Sequence, residues 1–345
     1  MATKKIETVR RQLGFGSPES NAYNLFHGIN HRGTGDLTPT NLDNHGYVFF
    51  TKPVLNLTTD NIRKVSKLYY LTSQDSNTNG TAIKCCLMPK REGDRYEPGN
   101  TRSAVIDDKS AFIPFLTNTL ISFTGWPDEV TEFIDTDEGN AKEIHGHVDD
   151  RPENFGTFDL SATFVAKEGD PHIALFSAWR EYMTRVAEGT TMTPFPEMIE
   201  YDEIDYMTRP YVLILGPDRK RIQKIAAAGA AVPKAVTTGA SFNYNSEAVF
   251  SEENQQIDVP FKCYGAIYND PALIDDFNWT VQQFNPDMED SRRATSMVKL
   301  TPREKTFFNF YGYPRIEKET MELEWWLDFE TYNALLLQLE DEGDV

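Results

Sequence analysis

Cysteine is scarce: only Cys85, Cys86 and Cys263 occur among 345 residues. An adjacent pair and one distant partner have neither the paired spacing of a zinc site nor the even count of a disulfide framework, so all three are read as small buried hydrophobes. Long apolar runs are missing too. No stretch approaches the roughly 18 apolar residues of a membrane span, and the first residues, Met1-Ala2-Thr3-Lys4-Lys5-Ile6-Glu7, carry charge where a signal peptide has its apolar region. The sequence therefore predicts a soluble chain with no membrane partner. Positive charge is also in deficit, with 34 Lys and Arg against 53 Asp and Glu, a net charge of −19. A duplex-binding surface is built from cations, so specific DNA binding is not expected; an acidic wall past which DNA slides without sticking is compatible with this composition.

Catalytic signatures are absent in the same way. There is no Gly-x-Ser-x-Gly elbow, no Walker-type phosphate loop, and no dinucleotide Gly-x-Gly-x-x-Gly in a strand-to-helix setting. Carboxylates such as Asp202, Glu203 and Asp205 are plentiful, yet no pair stands out as the acid and base of a cell-wall-cleaving glycosidase. The best metal candidate is Glu143-Ile144-His145-Gly146-His147-Val148-Asp149-Asp150, where His145 and His147 share one side of an extended chain and could hold an ion with a carboxylate. That spacing is common and Gly146 loosens it, so a polar surface loop is the preferred reading. No catalytic residue, metal site or cofactor is expected.

What is present is structural. Asp170-Pro171-His172 to Gly189 reads as one amphipathic helix: Asp170 to cap it, Pro171 at the first helical position, and Gly189 to end it in a left-handed turn. Ile173, Phe176, Trp179, Met183 and Val186 then form one apolar face. Phe158, Leu160, Ala162 and Phe164 alternate with polar residues as in a strand, and Tyr211–Leu215, a turn at 216–220 and Arg221–Ile225 read as a β-hairpin. Further strands are expected at Ala240–Phe250, Ile257–Tyr268 and Met321–Phe329, the last with Glu322, Glu324 and Asp328 on its outer side. Helices are expected at Leu57–Leu71 and Pro271–Phe284. Residues 72–110 read as a long loop with local structure. The order predicts an α+β fold, an antiparallel β-sheet or sandwich with a flanking helix. It divides into an irregular arm (1–45), an insertion-rich region (46–155), the α+β core (156–335) and an acidic tail (336–345).

Two segments are candidate contact surfaces. The small-residue run Ala226-Ala227-Ala228-Gly229-Ala230-Ala231 suits close backbone packing, within the chain or between subunits, and Ala226, Ala228, Gly229 and Ala231 are its candidate interface residues. On that reading Ala228→Trp blocks assembly and leaves the monomer folded. The aromatic cluster Phe307–Pro314 supplies Phe308, Tyr311 and Tyr313, and Trp326 joins them because Trp325 and Trp326 point to opposite faces of one strand.

Several stretches carry a family resemblance: Leu175-Phe176-Ser177-Ala178-Trp179-Arg180-Glu181-Tyr182-Met183, Glu203–Arg209, Arg221–Ala231, Asn44–Pro53, Ile121–Asp128 and Tyr311–Ile316. The chain resembles virion structural proteins of the tail and baseplate of large-genome, contractile-tailed bacteriophages. The resemblance implies a tail-tube-like core with insertions and sheet-edge pairing into rings around a DNA channel. It further implies a non-enzymatic role in the baseplate or adjoining the tail tube, through multivalent contacts, in a virion assembled in the host cytoplasm. Partners are then other copies in a ring and other tail or baseplate proteins, with DNA only as passing cargo. The alternatives are the tube subunit itself and, in another class, a tail-associated cell-wall-degrading enzyme.

Overall fold

Six strands build the central sheet: β1 (His45–Phe50), β2 (Leu120–Thr124), β5 (Thr157–Val165), β6 (Pro210–Leu215), β7 (Ile222–Pro233) and β8 (Gln256–Tyr268), in the order β1-β6-β7-β8-β5-β2. The structure, a computed structural model, describes residues 45–73, 75–88, 106–149, 156–201, 204–216, 218–239 and 256–343, with side chains to residue 337. The arm expected before residue 45 and the strand expected at Ala240–Phe250 lie outside the described residues. A two-stranded ribbon, β3 (Phe133–Asp135) with β4 (Gly146–Val148), rises between β2 and β5. A smaller three-stranded sheet, β9 (Met297–Lys299), β10 (Tyr313–Ile316) and β11 (Leu323–Asp328), completes the strands. The longer helices are α1 (Asn79–Leu87), α2 (Pro114–Thr119), α3 (Pro171–Glu188), α4 (Ala272–Phe284), α5 (Asp290–Ser296), α6 (Pro302–Phe307) and α7 (Phe329–Gly343). The fold is thus α+β on an antiparallel sheet, as the sequence predicts.

The pleat sends neighbouring residues to opposite faces; one face is packed on α3, and the other is covered over β1, β6 and β7 while β5 leaves Thr157, Asp159 and Ser161 exposed. On one, Phe50, Leu160, Ala162, Phe164, Val259 and Phe261 meet Phe176 and Trp179 of α3. On the other, Phe49, Tyr211, Leu213, Ile225 and Ala227 meet Leu273, Phe277 and Val281 of α4 and the small sheet. Phe50 reaches across the first face to Phe123, Phe164 and Phe261, ring centroids 5.5–6.3 Å apart. The sheet is nearly closed. The segment that leads into edge strand β2 also runs beside the other edge, β1: Lys52 N donates to Ala111 O at 2.9 Å, Ile113 N to Phe50 O at 2.9 Å, and Thr117 Oγ1 to Val48 O at 2.7 Å. Residues 46–155 therefore supply two strands of the central sheet, the β3–β4 ribbon and much of one core.

α3 spans the expected residues, and Gly189 takes the left-handed conformation at φ 66°. Its start differs from expectation. Asp170 is itself left-handed, at φ 47°, and its carboxylate makes no cap; its carbonyl instead accepts from Ala174 N at 3.1 Å. The helix expected at Leu57–Leu71 is broken into one turn at Thr59–Ile62 and a 3-10 segment at Ser66–Thr72. The loop expected at 72–110 holds α1, capped by Thr78 and buried through Ile83, Cys85, Cys86 and Leu87. All three cysteines are buried, and burial pushes Cys86 up to about 11 and Cys263 up to about 12. The small-residue run is the middle of β7, paired to β6 on one side and β8 on the other. Along β8 the buried positions alternate from Ile257 to Cys263 and then shift to Ala266, the break falling at Gly265 with φ 59°.

Candidate functional site

The expected contact residues separate into interior and surface. Ala228 and Ala231 are fully buried inside the chain's own core, and Phe308 and Tyr313 are also buried. A neighbouring subunit cannot reach these four side chains, and Trp at Ala228 would have to enter the core rather than an interface. Ala226 and Trp326 are half-buried, while Gly229 and Tyr311 are exposed. Gly229 serves the sheet first: a Cβ there would meet Tyr264 O at 3.0 Å.

The aromatic cluster is assembled by α6, whose capping box pairs Thr301 with Glu304. After it, Asn309 and Phe310 turn the chain in left-handed conformations, φ 51° and 59°. Phe310 packs on Tyr47 and Trp325 at 6.0 and 5.8 Å, and the Lys305 ammonium sits over Phe310 and Trp325 at 5.2 and 5.6 Å. Phe308 turns inward against Tyr332, and Tyr313 Oη donates to the Asp107 carboxylate at 2.8 Å. Trp325 is buried while Trp326 keeps an accessible face, capped by the Arg293 guanidinium at 5.0 Å. Trp326 Nε1 donates to Glu324 at 3.0 Å. Glu324, expected on the outer side of its strand, is buried, paired with Lys299 at 2.7 Å and with Arg315. Arg315 also holds Glu317 and Asp290, so the strand's polar face is an internal ion network.

One cleft among the described residues, about 170 Å³, is lined by Thr51, Lys52, Asp205, Arg209 and Thr280 among others. It is smaller than the ~300–1,000 Å³ of typical ligand pockets. Asp205 lies in its wall, and burial raises it above the usual carboxylate range while the Tyr182 hydroxyl donates to it. Lys52 is buried with Nζ on Asp107 O at 2.9 Å, and burial holds its ammonium below the usual lysine range. His147 lies on β4, paired with Ile134, and no group of three or more metal-binding side chains converges among the described residues. Nor is any helix among them long and apolar enough to cross a membrane.

The ribbon that carries His147 was not singled out by sequence reading. All six residues of β3 and β4 are exposed, including Phe133, Ile134 and Val148. The available signal was a set of isolated apolar residues inside an acidic stretch. At its root Trp126 packs on Phe123 and Tyr268, and Tyr268 Oη donates to Pro127 O at 2.6 Å.

Among curated proteins no match was found. Among solved structures, the tube-terminating cap of the anti-feeding prophage overlaps with TM-score 0.28 and 10% identity, over 46% of this chain and 82% of that one. The sheath/tube terminator of the extracellular contractile injection system PVC, in its extended state, overlaps with TM-score 0.26 and 9% identity, over 46% and 87%. A chain of the PVC sheath-tube complex gives 0.27 and 9%, over 46% and 82%. TM-scores this low do not establish a shared fold. The family match is of another order: a family described as putative phage tail tube protein matches residues 2–340, nearly the whole sequence. With that span, and with the interior of the sheet filled by its own helices, the chain belongs to the putative phage tail tube protein family and is a structural component of a phage tail.

Proposed function

We propose that the chain is a non-enzymatic, ring-forming component of a contractile tail, in the baseplate or adjoining the tube, acting through multivalent contacts with its own copies and with other tail proteins. The observation that carries its structural tail role is the family match over residues 2–340. The surface fits such a role: large apolar side chains at Tyr69, Phe133, Ile134, Tyr201, Trp279 and Tyr311 are left in solvent. Gly229, Tyr311 and Trp326 are the contact residues of the aromatic and β7 segments that a neighbour can reach. Net charge −19 suits a wall that passes DNA without binding it, and assembly takes place in the host cytoplasm before the virion is complete.

Negative-stain electron microscopy of the purified chain, with labelled antibody on intact particles, tests the proposal. Rings and label at one end of the tail are expected for a baseplate or tube-end component. Long uniform stacks, with label along the tail, mark the tube subunit itself, the reading that the family description favours. Clearing of a peptidoglycan suspension by the pure chain, with no label on particles, would replace both with a tail-associated enzyme.

A further inference from the structure

The β3–β4 ribbon is an arm without a core. Residues 128–149 carry eight carboxylates and one lysine, Lys142. Among the described residues none of those carboxylates forms an ion pair. Val130, Phe133, Ile134, Ile144 and Val148 are each more than half exposed. An isolated two-stranded ribbon is marginal in water, and this one keeps its apolar side chains outside. Its occupant must therefore offer cations around an apolar surface.

The same chain has such a surface elsewhere. The β6–β7 turn exposes Arg219, Lys220, Arg221 and Lys224 around Asp218. Lys305 adjoins them: burial holds its ammonium below the usual lysine range, Glu322 opposes that, and the charge of Lys220 adds to it. Beside it stand the rings of Phe310 and Tyr47, with Phe307 exposed next in the cluster. In a chain with 19 excess negative charges this is a local positive patch with aromatic floor.

The two surfaces sit where a head-to-tail contact needs them. Register pairs Tyr268, to which the arm's root is bonded, with Ala226, four residues past the β6–β7 turn's Ile222, so arm and turn leave the same end of the sheet. Around the nearly closed sheet they are separated, the arm leaving between β5 and β2 and the turn between β6 and β7, with β8 between those pairs. At about 3.3 Å per residue the arm reaches on the order of 30 Å from its root.

We infer that the acidic, apolar arm of residues 128–149 docks on the basic-aromatic patch formed by Arg219, Lys220, Arg221, Lys224, Lys305 and Phe310 of a second copy of this chain. The contact is heterologous, each copy giving an arm and receiving one, which closes rings or propagates a stack. This inference builds on the self-assembly proposed above.

A charge-swap experiment on the full chain tests it. One variant reverses the patch (R219E, K220E, K224E) and another reverses the arm (E132K, D135K, E138K). Sedimentation velocity follows association, and circular dichroism checks folding. Each variant alone is expected to associate at least tenfold more weakly than the unmodified chain, and an equimolar mixture to recover assembly, since arm and patch are again opposite in sign. F133S with I134S, which leaves charge unchanged, is expected to weaken association as well. Assembly of the unmodified chain that neither reversal weakens, or no recovery on mixing folded variants, would overturn the arm–patch pairing and leave self-assembly standing. An unmodified chain that stays monomeric at every concentration would remove both.

Discussion

Two β-ribbons in this chain have the same local pairing and opposite surroundings. The β6–β7 ribbon is enclosed: Tyr211, Leu213, Ile225 and Ala227 face α4, Ala228 and Ala231 face α3, and β8 and β1 occupy its flanks. The β3–β4 ribbon has six exposed residues and apolar side chains in water. Backbone pairing is equal in kind in both. The difference is side-chain burial, at about 1.5–3 kcal/mol for each large apolar group removed from water, which the chain supplies to one ribbon and not to the other.

Substitutions should separate the two regions by size of effect. Ala228→Trp, in the enclosed ribbon, places an indole where the side chain is fully buried. It is expected to cost at least ~3 kcal/mol and to yield little folded protein, measured by urea unfolding. Acid should act on the covered sheet next. His172 is buried, its Nε2 bonded to Thr119 Oγ1 at 2.7 Å, and burial, with the Lys167 charge, pushes it down from 6.5 to about 4. The unfolded chain takes up that proton first, so stability falls as pH drops from about 6.5 toward 4, by up to about 3 kcal/mol. His172→Gln is expected to flatten that limb of the pH–stability curve.

Tyr182→Phe removes the hydroxyl that donates to buried Asp205 and leaves its carboxylate on backbone donors. The expected loss is about 1–3 kcal/mol at neutral pH. It should shrink in acid, because a carboxyl raised by burial protonates sooner in the folded state; unfolding at two pH values measures this. Phe133→Ser, on the open ribbon, should change the stability of dilute monomer by less than ~0.5 kcal/mol. A large loss there in calorimetry of monomeric protein would mean the ribbon is part of the folding core, and the contrast between the ribbons would fail.

Sequence reading reached the elements with strong local pattern. α3 is bounded by Pro171 and Gly189 as expected, and Leu160, Ala162 and Phe164 alternate inward on β5. It did not extend β7 past Ile225, because alanine and glycine carry little strand signal and only the neighbours β6 and β8 make the run a strand. α1 was hidden for a similar reason: Asn79-Gly80 marks a turn locally, and the helix exists because Ile83, Cys86 and Leu87 find a core contributed by distant segments. Glu324 shows the limit of alternation. Its outward position is covered, and Arg315 and Lys299, nine and 25 residues away, neutralise it. The candidate contact residues were chosen by composition, which marks small and aromatic side chains without telling packing inside from contact outside. Tyr313 and Phe308 went in; Tyr311 stayed out.

The pairing of β1 with β6 sets an order on biosynthesis. β1 finishes at Phe50 and its ladder partner ends at Leu215, so the first strand waits for more than 150 residues before its neighbour is made. A ribosome-bound fragment that stops short of Leu215 can already offer Phe123 and Phe164 to Phe50, but Phe261 and, for Phe49, Phe277 are still to be made. Closure is thus a late, non-local event, of the kind that slows folding and exposes nascent strands to misassociation. A tail component made in many copies at once would meet its sisters in that unfinished state, and the timing of translation becomes part of how its assembly is kept orderly.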